Sequence, residues 1–229
     1  MKANSLGLLV MCLVLFAFQG TSRAEAESAP AAASAAANSA LLDPSLATEQ
    51  APEQFRVEFD TTKGKLVIEV HRDWAPNGAD RFYNLVKIGF FEDIAFFRVI
   101  PSFMAQFGIH GDPAVSKAWQ QATIQDDLVT QSNERGYITY AKTRRHNSRT
   151  TQLFINLKTN KRLDRQGFAP LGKVVEGMPV VDAIYKIGEG APRGSGPAQP
   201  RIQAEGNAYL KKEFGTLDYL KSARILEPE

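Results

Sequence analysis

The sequence predicts a mainly-β domain built as an antiparallel barrel or sandwich. Many short segments alternate between apolar and polar residues, which is the pattern of strands with one buried face. Only two or three segments show helical periodicity, and they do not alternate with strands as they would in a doubly wound α/β sheet. The length of 229 residues and the 44% hydrophobic content suffice for one domain with a substantial core.

Residues 1–26 have the features of a cleaved signal peptide. The apolar run over 6–18 is too short to span a bilayer, which takes about 20 residues. Ala24 and Ala26 then supply the small residues that an export peptidase reads. We therefore expect an exported protein, periplasmic or secreted, with no membrane attachment after signal cleavage. An uncleaved anchor and lipidation at Cys12 are the alternatives.

Residues 27–54 are rich in alanine, serine, proline and glutamate, and they predict a flexible linker. Such a tract cannot bury enough apolar surface to offset the entropy of ordering it. A transient helix in the alanine-rich run at 31–37 is the alternative. The folded domain is expected over 55–229.

The domain opens with a predicted β-hairpin followed by a helix. Apolar residues alternate over 55–59 and again over 66–70, with a turn at 61–64 between them. Pro76 stands where the first turn of a helix accepts proline, and apolar residues follow at helical spacing as far as Gly89. The hairpin therefore has one buried face, and the helix is amphipathic.

The rest of the domain is predicted to contain short strands and a second helix. The second helix is expected over 178–187, and a Gly/Pro-rich loop over 188–200 follows it. A short helix near 207–213 is expected before the last strand. The remaining strands are expected near 95–100, 103–108, 136–141, 152–157, 169–175 and 223–226.

Charge, cysteine and histidine placement argue against several classes of function. The net charge is only +2 and the basic residues are spread along the chain, so nucleic acid is not an expected partner. Cys12 is the only cysteine, so the mature chain has no disulfide and no thiolate nucleophile. The three histidines lie apart without ligand spacing, so neither a metal nor another cofactor is expected.

The segment from Phe96 to Gly108 contains the most informative motif. Taken by composition alone, it is a core hairpin whose single arginine reaches water. It also closely resembles the cyclophilin signature Phe-His-Arg-Val/Ile-Ile-Pro-Gly-Phe-Met-x-Gln-Gly-Gly. The positions in register are Arg98, Pro101, Phe103, Met104, Gln106 and Gly108.

Three further motifs follow in the order that the cyclophilin family has them. Residues 151–155 are similar to its Ser-Gln-Phe-Phe-Ile strand, 163–174 resemble its Leu-Asp…Val-Phe-Gly-x-Val segment, and 177–182 match the start of its second helix. The resemblance implies a closed eight-stranded antiparallel barrel capped by two helices. The chain from about 199 onward extends beyond the common core of the family.

The resemblance also implies an active groove on the outer face of the barrel. Arg98 and Gln106 would be the catalytic residues, with Arg98 as the cation. The substrate-binding residues implied in the same way are Phe103, Met104, Ala141, Gln152, Phe154, Leu163 and Phe168.

Some positions depart from the family pattern. Phe97 stands where the family has histidine, Arg162 where many members have tryptophan, and Phe168 lies near the position of a pocket histidine. Residues 141–143 read Ala-Lys-Thr where Ala-Asn-Ala is usual. The histidine replaced by Phe97 is not the catalytic group in the family, so activity is still expected.

The resemblance implies a peptidyl-prolyl cis/trans isomerase that accelerates X-Pro isomerisation during the folding of exported proteins. The expected partners are proline-containing unfolded or flexible segments, and the protein is expected to be a monomer. Twisting an X-Pro bond requires no nucleophile, acid, base or metal, which agrees with what the chain lacks. The alternative is a catalytically weak proline-peptide-binding module or a holdase chaperone.

Overall fold

A computed structural model describes residue 37 and residues 39–227, so the expected signal peptide and part of the expected linker lie outside the described residues. No helix within these residues is long and apolar enough to cross a membrane. The strands and α-helices, in chain order, are β1 (Gln54–Thr61), β2 (Gly64–His71), α1 (Pro76–Lys87), β3 (Ile94–Ala95), β4 (Arg98–Ile100), β5 (Met104–Phe107), α2 (Pro113–Trp119), β6 (Tyr137–Tyr140), β7 (Leu153–Asn156), β8 (Pro170–Glu176), α3 (Met178–Ala183), α4 (Gln199–Glu213) and β9 (Tyr219–Leu226).

The strands form one nine-stranded antiparallel sheet in the order β3-β9-β1-β2-β8-β6-β7-β5-β4. Its two end strands, β3 and β4, are separated in sequence only by Phe96 and Phe97, so the ends of the sheet meet at one stretch of chain. Counting β3 and β4 as one interrupted strand gives the eight strands that the resemblance implied. The mainly-β antiparallel fold is confirmed.

The core lies between the inward faces of the strands and α1. In β1, Phe55, Val57 and Phe59 are buried while the residues between them are partly exposed, as the two-residue period of a strand requires. The Phe82 ring of α1 lies 6.1 Å from that of Phe59, which meets the Phe107 ring edge-on at 5.7 Å. Full burial of one phenylalanine contributes about 1.5–3 kcal/mol, so this cluster fixes α1 on the sheet.

The chain packs against the domain earlier than the expected start at position 55. Ala51 is buried, and its N–H donates to Asp80 Oδ1 at 2.9 Å. Farther upstream, the carbonyl of Leu41 accepts a hydrogen bond from Trp119 Nε1 at 2.9 Å. Both partners lie far along the chain, so the composition of this segment alone does not reveal its packing.

Three helices differ from the sequence-based expectation. Helix α3 ends at Ala183 instead of near 187, because the next residue has an extended ψ of 135°. Helix α2 lies where no helix was predicted, and it begins after Asp112, whose carboxylate accepts the Ala114 N–H at 2.7 Å. Helix α4 begins at Gln199 instead of near 207, because two helical pieces are joined across a kink at Gly206, where φ is 61°. Glycine adopts this conformation without a steric penalty.

Helix α4 covers Phe97. Helix α4 contributes Ile202, Tyr209 and Leu210 to an apolar cluster that contains Phe97, which is 1% exposed. This cluster is separate from the main core. An apolar side chain at position 97 is therefore favoured by the helix that packs over it.

Candidate active site

Neighbouring strands align the predicted site residues on the outer face of the sheet. Arg98 of β4 lies opposite Gln106 of β5, and Gln106 lies opposite Phe154 of β7. Met104 is two residues from Gln106 on the same strand and so projects from the same face. Strand pairing thus brings together residues from two separate sequence motifs.

Arg98 is the centre of a polar network. Its Nη1 donates to Gln106 Oε1 at 3.0 Å, and Gln106 Nε2 donates in turn to Gln152 Oε1 at 2.9 Å. On the other side, Arg98 Nε and Nη2 donate to the two carboxylate oxygens of Glu189 at 2.6 and 2.8 Å. The Arg98 guanidinium keeps the pKa of Glu189 below its ordinary value by hydrogen bonding to the carboxylate. Two side chains therefore hold the guanidinium in one orientation.

A small apolar cluster lies beside this network. Its buried members are Met104, Phe154 and Leu163. The rings of Phe154 and Phe168 meet edge to face, with centroids 5.9 Å apart. Partly buried side chains that pack against the cluster are Ile100, Phe103, Ala141 and Phe168. The cluster is separate from the main core, and its partly buried members remain accessible from the surface.

The network and the apolar cluster line one groove of about 510 Å³. All nine site residues named from the sequence line it: Arg98, Phe103, Met104, Gln106, Ala141, Gln152, Phe154, Leu163 and Phe168. Glu189, Arg193 and Gln199 also line the groove, and no sequence motif indicates them. They come from the Gly/Pro-rich loop and the start of α4, and no local pattern indicates that a loop folds back on a distant strand.

The turn between β4 and β5 places the Phe103 ring in the groove. The Phe103 N–H donates to the carbonyl of Ile100 at 3.1 Å. Ser102, between them, has a φ of 54°, which lies in the left-handed region. Glycine occupies this region most readily. Ser102 therefore adds local strain that a glycine at this position would relieve.

Positively charged residues lie beside the groove, in an adjoining recess. The Arg162 guanidinium lies 5.3 Å from the centre of the Phe103 ring. Together with Lys158 and Lys161, Arg162 lines an adjoining recess of about 410 Å³, and none of the side chains lining that recess is acidic. We call Lys158, Lys161 and Arg162 the cationic rim. A charged surface thus stands where many family members have a tryptophan.

The segment after β6 forms another wall of the groove. The Ala141 N–H donates to the carbonyl of Gln152 at 2.9 Å, which ties this wall to the chain just before β7. The neighbouring Lys142 is 8% exposed and pairs with Asp126 at 2.9 Å. The wall is therefore held by both backbone and side-chain contacts.

The arrangement suits the binding of a polypeptide segment that carries an apolar ring. The groove offers a fixed cation at Arg98, amide groups at Gln106 and Gln152, and an apolar recess. Within the residues that the structure describes, no cluster of histidine, cysteine or acidic side chains has the composition of a metal site. The chemistry that these residues can perform is electrostatic stabilisation of a bound, polarised amide.

Comparison with known proteins identifies similar sequences and folds. The family model described as cyclophilin type peptidyl-prolyl cis-trans isomerase matches residues 56–204. A peptidyl-prolyl cis-trans isomerase of Acinetobacter baylyi is 36% identical over 135 residues, which are 57% of this chain and 72% of the relative. Another, of Streptomyces antibioticus, is 34% identical over 156 residues, or 64% of this chain and 93% of the relative. The crystal structure of a Cryptosporidium parvum cyclophilin type isomerase in the presence of the dipeptide Ala-Pro shares the fold, with a TM-score of 0.56 and 18% identity over 76% of this chain and 99% of that one.

Proposed function

Because the chain belongs to the cyclophilin family of peptidyl-prolyl cis-trans isomerases, we propose that it isomerises X-Pro bonds of exported proteins while they fold. The observation that carries this proposal is the oriented Arg98 guanidinium beside an apolar recess in one groove. The partners are proline-containing segments of unfolded or flexible chains, and the protein acts as a monomer.

The physical chemistry of the X-Pro bond explains why such a groove suffices. Twisting the bond breaks amide conjugation, so the uncatalysed barrier is about 20 kcal/mol. As conjugation is lost, electron density returns to the prolyl nitrogen, which becomes a better hydrogen-bond acceptor. A cation held at that nitrogen therefore stabilises the twisted bond more than either planar isomer. No proton is transferred and no covalent intermediate forms.

Each of the nine groove residues named from the sequence has a role in this proposal. Arg98 supplies the cation, and Gln106 orients the peptide beside it. The proline ring enters the apolar recess, and Gln152 and the Ala141 edge align the peptide backbone. The side chains that contact the ring are Phe103, Met104, Phe154, Leu163 and Phe168.

Export is proposed from the sequence of residues 1–26, which combines a short apolar run with small residues before a cleavage point. The test is the mass of the protein recovered from the cells that make it. A mature N-terminus after Ala24 or Ala26, in material from outside the cytoplasm, supports export. An intact Met1 in a membrane fraction would contradict it.

The isomerase activity is tested by the rate of cis-to-trans conversion of an X-Pro peptide. We expect the rate constant to rise in proportion to the protein concentration. The alternative, a proline-peptide-binding module or holdase, is favoured by one observation, namely that Arg162 lines the groove where many family members have tryptophan. Saturable peptide binding without any acceleration would establish that alternative.

A further inference from the structure

The Gly/Pro-rich loop after α3 brings an acidic side chain to Arg98. Glu189 Oε1 accepts from Arg98 Nε at 2.6 Å, and Glu189 Oε2 accepts from Arg98 Nη2 at 2.8 Å. Both side chains are mostly covered, since Arg98 is 21% exposed and Glu189 is 34% exposed. A two-point contact between a carboxylate and a guanidinium fixes the plane of the guanidinium as well as its position.

Backbone hydrogen bonds build the loop around Glu189. The Gly188 N–H donates to the carbonyl of Val99 at 2.9 Å, which fastens the loop to β4 beside Arg98. The Gly196 N–H donates to the carbonyl of Glu189 at 3.0 Å. A side chain at Gly194 would collide with that same carbonyl, so only glycine lets the chain fold back here. The carboxylate is thus presented by a closed turn with its own internal bonds.

The ion pair determines where the remaining nitrogen of Arg98 points. With Nε and Nη2 bound to Glu189, Nη1 lies 3.0 Å from Gln106 Oε1 and 3.9 Å from Met104 Sδ. Both of these residues line the groove. An arginine side chain has many rotamers, so without the carboxylate it would spend less time in this orientation.

We propose that Glu189 is a positioning residue for Arg98. The Glu189 carboxylate holds the Arg98 guanidinium so that Arg98 Nη1 faces the substrate amide. This role rests on the proposed function. Glu189 does not itself touch the reacting bond. If the pairing instead suppressed activity by neutralising Arg98, removal of the carboxylate would raise the rate, which is the opposite of what positioning predicts.

The variant Glu189→Gln tests the role because glutamine keeps the length of the side chain and loses its charge and one acceptor. The kcat for an X-Pro peptide should fall about ten- to a hundredfold with little change in KM, because a misplaced group loses effect in the transition state. Glu189→Asp, which keeps a carboxylate at shorter reach, should recover part of the lost kcat. Glu134→Gln is the matched control, since Glu134 is exposed and does not line the groove, and it should leave both constants unchanged.

A second readout does not depend on activity. In the NMR spectrum of ¹⁵N-labelled protein, the Arg98 Nε–H should exchange slowly with water in the parent and in Glu134→Gln, and fast in Glu189→Gln. An active parent whose Glu189→Gln variant is equally active or faster would overturn the positioning role. An inactive parent that still shows the exchange difference would instead refute the proposed function.

Discussion

Replacing Arg98 with alanine separates the contribution of this residue to catalysis from its contribution to stability. The substitution removes two hydrogen bonds to Glu189 and one to Gln106. All three lie at the wall of an open groove, so water can replace them, and the free energy of unfolding should fall by about 1 kcal/mol. For a domain of this size that corresponds to about 2–4 °C in melting temperature. The loss of one preorganised donor costs about 2.7–4 kcal/mol in the transition state, so kcat/KM should fall about 10²–10³-fold.

The assay measures the isomerisation rate constant of an X-Pro peptide and the thermal melt of each variant. Arg193→Ala is the control, because Arg193 is an exposed cation that lines the same groove. It should change the rate less than about threefold, as expected for an exposed charge. Phe103→Ala should weaken both binding and turnover by emptying the apolar recess. If Arg98→Ala melted near the parent temperature and isomerised the peptide as fast, the catalytic assignment would be refuted.

Four further predictions concern stability, pH and peptide preference. Ser102→Gly should raise the free energy of unfolding in urea by about 0.5–1 kcal/mol, because glycine adopts the φ of 54° without steric cost, and a decrease would contradict this. Asp127→Asn should lower the free energy of unfolding by about 3 kcal/mol, because Arg149, which is 2% exposed, would lose its 2.9 Å contact with this carboxylate and keep only a 3.7 Å contact with Asp126; a melt close to that of the parent would count against it. Arg98 keeps the pKa of Glu189 below its ordinary value of 4.5, so the Arg98–Glu189 ion pair should be fully formed above pH 4.5 and should be lost only as the pH falls through the lowered pKa of the folded state. A ¹³C titration of the Glu189 carboxyl with a midpoint above 4.5 would contradict this. Peptides with glutamate beside the proline should be isomerised about two- to tenfold faster than those with lysine, because the cationic rim attracts the glutamate side chain. Added salt should reduce this difference, and equal rates at low salt would rule out the preference.

The strands could be predicted from the sequence because their side chains follow a local period. In β1 the alternation of Phe55, Val57 and Phe59 is visible in the sequence and is the alternation that the structure buries. Eight of the nine groove residues could be named because they lie within three short motifs of the family, at 96–108, 151–155 and 163–174, and the ninth is Ala141. Their mutual distances could not be predicted, since they depend on the register of Arg98 with Gln106 and of Gln106 with Phe154.

Contacts between distant parts of the chain could not be predicted. Glu189 lies 91 residues from Arg98, and its segment reads only as a Gly/Pro-rich loop. The packing of Ala51 on α1 and the bond from Trp119 to Leu41 have the same origin, because each depends on a partner far away in sequence. A local pattern specifies which conformation a segment favours, but it does not specify which surface that segment meets.

Phe97, helix α4 and the loop that carries Glu189 belong to one structural unit. Phe97 is covered by Tyr209 and its neighbours on α4. Without that helix the Phe97 ring would be exposed to water, which is unfavourable. The Tyr209 hydroxyl also accepts the Ala198 N–H at 3.2 Å, which fixes the far end of the loop that carries Glu189. The near end of the loop is fixed to the carbonyl of Val99. The residues on either side of Arg98 thus anchor the helix and the loop, so helix α4 supports the loop that presents the Glu189 carboxylate to Arg98.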